Sequence, residues 1–265
     1  MRFLLFQIYA PLVSWGEIAV GGERQSSRHP SKSAIIGLVA AALGTRRDEE
    51  ERLNALAGSL GVAVKLYSGG TVLKDYHTTQ VPKKENKVVH RTRREELSVS
   101  GDKLGTILSR REYRCDAFSV VAVYLKEANS EYSIDIIEKA LREPVFHLYF
   151  GRKSCVPSLP LAPKVVVSSN LKSAFSEYNV VFPTPLAEGA PDWLEKVFSD
   201  YPAKTVFAAG DGISYFWEDG VESGLTPLQT VERYDQPTSR KRWQFTFRRE
   251  YMAIEKGVEA VNVHQ

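Results

Sequence analysis

The stretch Phe118-Ser119-Val120-Val121-Ala122-Val123-Tyr124-Leu125 decides the fold of this 265-residue chain, because its β-branched and aromatic side chains are typical of a strand. Around it the sequence predicts further strands over 3–9, 62–67 and 145–150 and helices over 32–43, 48–57 and 132–142. The order strand–helix–strand–strand–helix–strand is that of a ferredoxin-like unit. We therefore expect an α+β fold with this body in residues 1–155.

The composition changes after Cys155, since nine of the thirteen prolines lie from Pro157 onward. Short strand signals follow over 164–167, 205–208, 213–217, 243–247 and 251–254, with a hairpin turn at 210–212. The sequence thus predicts a smaller, mainly β C-terminal region over 156–265.

The overall charge is nearly balanced, with 35 Lys and Arg against 32 Asp and Glu. This balance excludes a histone-like coat of positive charge and an acidic disordered tail. Two cysteines exclude a disulfide framework and a cysteine-based zinc site. The longest apolar run, 34–43, is about half the length that a membrane span needs. The first residues lack the pattern of a signal peptide, so we expect a reducing, cytoplasmic location and no membrane partner.

The positive charge is concentrated between Thr71 and Cys115, where eleven Lys and Arg stand against six Asp and Glu. Aromatic and imidazole side chains lie among these cations; they are Tyr76, His77, His90 and Tyr113. Cations attract phosphates, and aromatic rings offer unpaired bases a stacking surface. The segment is therefore expected to be a functional projection, although a solvated surface loop is the alternative.

Sequence motifs for catalysis are few. No metal-ligand spacing, phosphate-binding glycine loop or nucleophile elbow occurs, so no metal and no cofactor are expected. Metal-free RNA cleavage needs a general base, an acid and a cation. His77 or His90, with Tyr76 and Lys83 or Lys84, could supply these groups, but an RNA-contacting or exposed histidine is the alternative.

The tetrapeptide Gly151-Arg152-Lys153-Ser154 follows a predicted strand. A glycine lets the backbone approach a ligand, and two cations with a hydroxyl can bind a phosphate. An ordinary polar turn explains the same residues equally well.

Several blocks in order along the chain resemble the Cas-five family, RAMP-type subunits of type I-E CRISPR Cascade surveillance complexes. They are Ser14-Trp15-Gly16, Arg28-His29-Pro30-Ser31-Lys32-Ser33, 36–44, Asp75-Tyr76-His77-Thr78, 111–117, Gly151-Arg152-Lys153-Ser154-Cys155, Arg248-Arg249-Glu250-Tyr251 and Glu255-Lys256-Gly257. The resemblance implies a RAMP-type, RRM-like body with a β-hairpin thumb at about 71–114.

The resemblance also implies a function. Such a subunit caps the 5′ handle of the crRNA and contacts the CasC backbone subunit and the CasA large subunit, and the assembled Cascade binds target DNA. CasE cuts the precursor in type I-E complexes, which implies a non-catalytic role here. The type I-C relative does cut RNA, so an endoribonuclease using His77, His90 and Tyr76 is the alternative.

The residues expected to bind RNA are Trp15, Arg24, Arg28, Lys32, Tyr76, His77, Arg93, Arg111, Tyr113, Tyr149, Gly151, Arg152, Lys153 and Ser154. Arg24, Arg28 and Lys32 lie before or at the start of the first helix, where the helix dipole favours anions. Arg152 and Lys153 are assigned to phosphates, and Tyr113 and Tyr149 to stacking on bases.

Overall fold

The structure is a computed structural model that describes residues 1–19, 21–83, 89–127, 132–181, 212–239 and 241–255. Its strands are β1 (Arg2–Val13), β2 (Glu23–Arg24), β3 (Leu60–Ser68), β4 (Thr71–Pro82), β5 (Leu104–Leu125), β6 (Lys164–Val167), β7 (Ile213–Glu218), β8 (Gln229–Ser239) and β9 (Gln244–Glu255). Its helices are α1 (Lys32–Ala42), α2 (Glu50–Ser59), α3 (Arg93–Leu97), α4 (Ile134–Arg142) and α5 (Leu171–Ser176), with a 3₁₀ turn at Gly101–Lys103.

The described strands form one sheet in the order β6-β1-β5-β3-β7-β9-β8, and β2 and β4 both pair with the first half of β5. All of these pairs are antiparallel except β2 with β5. The length of β5, 22 residues, explains this arrangement. Its second half lies between β1 and β3 in the core, and its first half continues outward between β2 and β4.

Both faces of the central sheet are covered, as alternate residues of β5 demonstrate. Val121 and Val123 pack into a cluster with apolar side chains of α1, α2 and α4. Val120 and Ala122 belong to a second cluster that includes residues of β6 and α5. A mixed α/β chain with an antiparallel sheet, as expected from the sequence, is therefore what the structure contains.

One predicted strand is wrong. Residues 145–150 form no strand, and the strand that pairs with the outer edge of β1 is β6. Instead, the amides of Val145 and Phe146 donate to the carbonyls of Ala42 and Ala41, at 3.0 and 3.2 Å. The segment thus satisfies carbonyl groups at the C-terminal end of α1, which a helix cannot satisfy internally.

The strands after residue 156 extend the same sheet on both sides, because β6 pairs with β1 and β7 pairs with β3. Apart from Trp243, which lies in the preceding turn, the residues predicted as strands at 243–247 and 251–254 belong to one strand, β9. The predicted strand at 205–208 and residues 210 and 211 of the predicted turn lie outside the described residues. A domain division at residue 155 stays a prediction.

Helix α1 begins after Ser31, whose side chain caps it by accepting a hydrogen bond from the Ala34 amide. In the part of the chain that the structure describes, no helix is long and apolar enough to cross a membrane.

Candidate nucleic-acid interface

Most of the basic segment forms a two-stranded ribbon, which consists of β4 and residues 104–115 of β5. Side chains that face each other across an antiparallel pair lie on the same face. Tyr76 stands opposite Arg110, so the two share one face, and His77 stands opposite Ser109 on the other. The neighbouring residues Tyr76 and His77 therefore project from opposite faces of the ribbon.

This geometry bears on the residues predicted for RNA cleavage. His90 lies outside the ribbon, and no hydrogen bond or ring contact among the described residues joins it to His77 or Tyr76. The Lys83 ammonium donates to the Asp102 carbonyl at 2.8 Å, and Lys84 lies outside the described residues. The described groups thus form no assembled acid–base pair.

The structure brings Arg152 and Tyr113 together, although they are 39 positions apart. The Arg152 guanidinium lies over the Tyr113 ring, 4.3 Å from its centroid. Its Nη1 atom is buried and has no hydrogen-bond partner among the described residues. Tyr113 shares its ribbon face with Arg111, two residues away along β5. A stacked guanidinium with an unused donor, beside a second arginine, is suited to an anionic ligand.

The loop that carries Arg152 is held by its own backbone. The Phe150 amide donates to the Cys155 carbonyl, and the Cys155 amide donates to the Arg152 carbonyl, both at 2.8 Å. The Ser14 amide donates to the Phe150 carbonyl at 3.1 Å, which fixes the loop against the end of β1. Lys153 and Ser154 are exposed on this loop.

The fold itself requires glycine at position 151. Its φ is +87°, and a Cβ atom there would lie 1.7 Å from the Ser14 carbonyl oxygen. The close approach at Gly151 is therefore to the chain's own backbone.

Two further predicted residues have partners within the protein. The Tyr149 hydroxyl accepts a hydrogen bond from Arg47 Nη2 at 3.4 Å. Arg93 contacts Glu96 at 2.6 Å and donates to the Gln80 carbonyl, which ties α3 to β4. Arg93 thus helps to position the ribbon.

Arg24 and Arg28 are exposed and lie near the base of the ribbon. Arg24 is aligned with Arg111 through the β2–β5 pairing. Arg114 donates from Nε and Nη2 to the Ser26 carbonyl, at 3.2 and 3.1 Å. Burial, and then the charge of Arg28, lower the pKa of Arg114, which indicates that two cations lie close together there. Added anionic charge would be favourable at this place.

Two of the predicted RNA-binding residues are corrected by their burial. Trp15 is 3% exposed, and its ring packs against Phe150 with 5.9 Å between centroids. Lys32 is 0% exposed, and its ammonium lies 2.9 Å from Glu218. Neither side chain is available to a nucleic acid, because both belong to the interior.

Lys32 belongs to a buried ionic network that the sequence did not predict. Its members are His29, Lys32, Lys126, Glu218, Arg233, Asp235, Arg248 and Glu250. Glu218 accepts from Lys32, from Lys126 and from the Val62 amide within 2.9 Å. Asp235 accepts from the Lys32 amide at 2.8 Å, which fixes the start of α1 to β8.

The other half of this network surrounds Glu250. Arg248 Nη2 donates to Glu250 at 2.6 Å, and Arg233 Nη1 lies 3.2 Å from the same carboxylate. The ring of His29 stacks on Phe216 at 3.7 Å, and its Nε2 lies 3.2 Å from Glu250. The network joins the 28–33 block to β7, β8 and β9, so that block serves the fold.

The pKa shifts in the network follow from burial and from its charges. Burial lowers the pKa of Lys32 to about 8, with Glu218 opposing the shift. Burial also lowers the pKa of His29. Burial acts to raise the pKa of Glu250, but the contact with His29 and the charges of Arg248 and Arg233 outweigh it and lower the pKa to about 2.

Within the described ranges, no group of three or more His, Cys, Asp and Glu side chains is placed to hold a metal ion.

The sequence matches the family model described as CRISPR-associated protein (Cas_Cas5) over residues 3–251. The chain is 30% identical over 187 residues to the CRISPR system Cascade subunit CasD of Escherichia coli K12, which covers 68% of this chain and 78% of that protein.

Two solved structures have the same fold. A chain of a CRISPR RNA-guided surveillance complex superposes with a TM-score of 0.63 at 24% identity, over 98% of this chain and 92% of that one. The second, described as a crystal structure of a Cas protein, superposes with a TM-score of 0.58 at 22% identity, over 95% and 94%.

Proposed function

The chain belongs to the Cas5 family of CRISPR-associated proteins, and from that premise we propose that it is a non-catalytic, crRNA-binding subunit of a Cascade complex. Its ligand is the 5′ handle of the crRNA, which it caps. The Escherichia coli relative, CasD, is a Cascade subunit, which supports this assignment.

The observation that carries the proposal is the position of Arg152 over Tyr113. The buried Nη1 donor of Arg152 has no partner among the described residues, and Arg111 lies on the same ribbon face as Tyr113. A phosphate bound beside these side chains accepts hydrogen bonds from the arginines, while Lys153 and Ser154 are exposed next to it. The unpaired bases of a handle are the part of an RNA that a protein can read, because the A-form major groove is too narrow for side chains.

In this proposal the body is ferredoxin-like and the ribbon with its connection, residues 71–114, is the thumb. The sheet order β6-β1-β5-β3, with α1 and α2 between β1 and β3 and α4 between β5 and β6, supports a βαββαβ body. The thumb exposes apolar side chains from both of its strands, including Leu73, Ile107 and Leu108. Exposed apolar surface of this kind fits a neighbouring protein, and we assign it to CasC. CasA is the second protein partner.

Competition between nucleic acids tests the proposed ligand. Labelled handle RNA is bound to the purified chain, alone and in the assembled complex, and unlabelled handle RNA or DNA duplex of equal length is added. Handle RNA is expected to displace the label at much lower concentration than duplex does. Efficient displacement by duplex would contradict recognition of an unpaired RNA end.

A second measurement tests the non-catalytic role. The chain is incubated with repeat RNA in EDTA, and the RNA is expected to stay intact, since Tyr76 and His77 project from opposite faces of the ribbon. Cleavage that disappears when His77 and His90 are both replaced by Ala would establish the endoribonuclease instead.

A further inference from the structure

A second exposed aromatic surface lies on the hairpin formed by β8 and β9. We call it the aromatic hairpin, residues 234–239 and 241–249. Trp243 is 65% exposed, Phe247 61% and Tyr234 42%. Contiguous apolar groups with this much exposure often mark an interaction surface.

The rings are arranged in two contacting pairs. Phe247 meets Tyr234 edge to face at 4.7 Å between centroids, and Trp243 meets Phe245 at 5.7 Å with the ring planes perpendicular. Phe245 and Phe247 are two positions apart on β9, so they project from the same face of the sheet. The two pairs therefore adjoin.

The loop and strand that carry three of these rings are rich in cations. Residues 236–249 contain five Lys and Arg and no Asp or Glu. Arg248 turns inward to Asp235 and Glu250, at 2.6 Å from each carboxylate. Lys241, Arg242 and Arg249 are exposed. Lys241 and Arg242 thus flank the Trp243 pair, whereas Arg249, beside the Phe247 pair, stands opposite Glu232 on β8.

This surface lies at the other end of the sheet from the ribbon. Leu66 is aligned with Ser214 and, through it, with Ile254, so β9 runs parallel to β3. Ile254 therefore lies near the end of β3 at Ser68, which is the end closest to the ribbon. Gln244, ten residues earlier on β9, lies towards the opposite end of the sheet. Ten strand residues span roughly 30 Å. The aromatic hairpin is therefore separate from Arg152 and Tyr113.

We propose that the aromatic hairpin is a second nucleic-acid site, which binds a single strand with little sequence preference. Flat bases stack on exposed rings, and the cations beside the rings meet the phosphates. A duplex buries the faces of its bases and cannot stack in this way. An acidic peptide would satisfy Lys241 and Arg242 but would offer no series of flat faces to the rings.

The test uses the full chain with Arg152→Ala as the background, so that binding at the ribbon is weakened. The probe is a labelled single-stranded thymidine homopolymer. Replacing Trp243 and Phe247 by Ala is expected to weaken its binding at least about fivefold for each ring, the lower end of what base stacking contributes. The matched control is Phe146→Ala, since Phe146 is also exposed but lies on the segment after α4.

Two further readouts separate stacking from loss of fold. The homopolymer is expected to quench the fluorescence of Trp243, and Trp243→Phe should remove that quenching while it keeps most of the affinity. Replacing Lys241 and Arg242 by Gln should reduce the salt dependence of binding, because fewer counterions are released.

In the chain without the Arg152 substitution, the hairpin variants should leave the tight, sequence-specific binding of handle RNA unchanged, so this proposal and the handle site fail independently. Unchanged homopolymer affinity in the variant lacking both rings would overturn the proposal. So would variants that release another Cascade subunit while they still bind the homopolymer, since the hairpin would then be a protein-docking surface.

Discussion

The Arg152 guanidinium lies 4.3 Å from the centroid of the Tyr113 ring, and Nη1 of that guanidinium is buried without a hydrogen-bond partner among the described residues. The aromatic ring holds the cation in place but accepts no conventional hydrogen bond from it. The stacked guanidinium keeps its positive charge for a ligand, and an arginine in such a setting binds phosphate well.

Replacing Arg152 by Ala is expected to weaken binding of handle RNA by about 1–3 kcal/mol, the range for a hydrogen bond to a charged group. The salt dependence of binding should fall by about one phosphate contact. Titration of labelled handle RNA at several salt concentrations measures both. Arg52→Ala is the control, because Arg52 is an exposed arginine paired with Glu49 on α2. If Arg152→Ala binds with unchanged affinity and salt slope, the loop is an ordinary turn.

The sequence located the elements of this site but not their contacts. The charge run predicts a projection, the family resemblance implies that it is a β-hairpin, and the 151–154 loop is a candidate phosphate site with an ordinary turn as the alternative. That Arg152 reaches Tyr113 depends on the Ser14–Phe150 hydrogen bond, which joins positions 136 residues apart. No local pattern specifies such a contact.

The ionic network could not be predicted for a related reason. Lys32 follows a serine cap at the start of a helix, a position that usually faces solvent or an anion. It is buried because Glu218, on a strand 186 positions later, accepts a hydrogen bond from its ammonium group. The apolar and aromatic side chains of residues 145–150 predict a strand. The segment forms none, because its first amides donate hydrogen bonds to the carbonyl groups at the C-terminal end of α1.

The connection between β4 and β5 is expected to be protected from protease by assembly. This segment has low apolar content, and its described residues 89–103 bury little surface. Limited trypsin digestion should cut near Lys83 and Arg91 in the isolated chain and more slowly in the complex. Equal cutting rates in the two states would argue against a thumb that is covered by CasC.

Gly151→Ala is expected to destabilise the protein by about 2 kcal/mol or more, since it combines a strained positive φ with a backbone clash. The added Cβ would lie 1.7 Å from the Ser14 carbonyl oxygen. Urea unfolding measures the change. Gly101→Ala is the control, because no atom lies within 4 Å of the Cβ position there and its φ is not positive. A stability equal to that of the original chain would show that the loop adjusts without cost.

Lys32→Met is expected to lower stability by about 3 kcal/mol and to leave handle binding by the folded protein unchanged. Stability falls because the buried Glu218 carboxylate loses one of its two cationic partners and keeps only Lys126 and the Val62 amide. Lys126→Ala removes the other, partly exposed cation from the same carboxylate and should cost less. Urea unfolding and RNA titration together decide the matter. Weaker RNA binding by a stable Lys32→Met protein would mean that Lys32 does contribute to RNA binding.

The stability of the fold is expected to fall in acid through Glu250. Its pKa is about 2 in the folded protein against an ordinary 4.5, because the contact with His29 and the charges of Arg248 and Arg233 outweigh the effect of burial. A carboxyl with a lowered pKa stabilises the fold fully above its unfolded pKa, and that contribution is lost as the pH falls from about 4.5 to about 2. The difference corresponds to about 3 kcal/mol.

Urea unfolding at a series of pH values should therefore show a steep loss of stability in this window, and Glu250→Gln should flatten it while lowering stability at neutral pH. The control is Glu143→Gln, which changes an exposed carboxylate after α4 and should leave the profile as it was. A Glu250→Gln protein with the same acid profile as the original would mean that other carboxylates govern the acid transition.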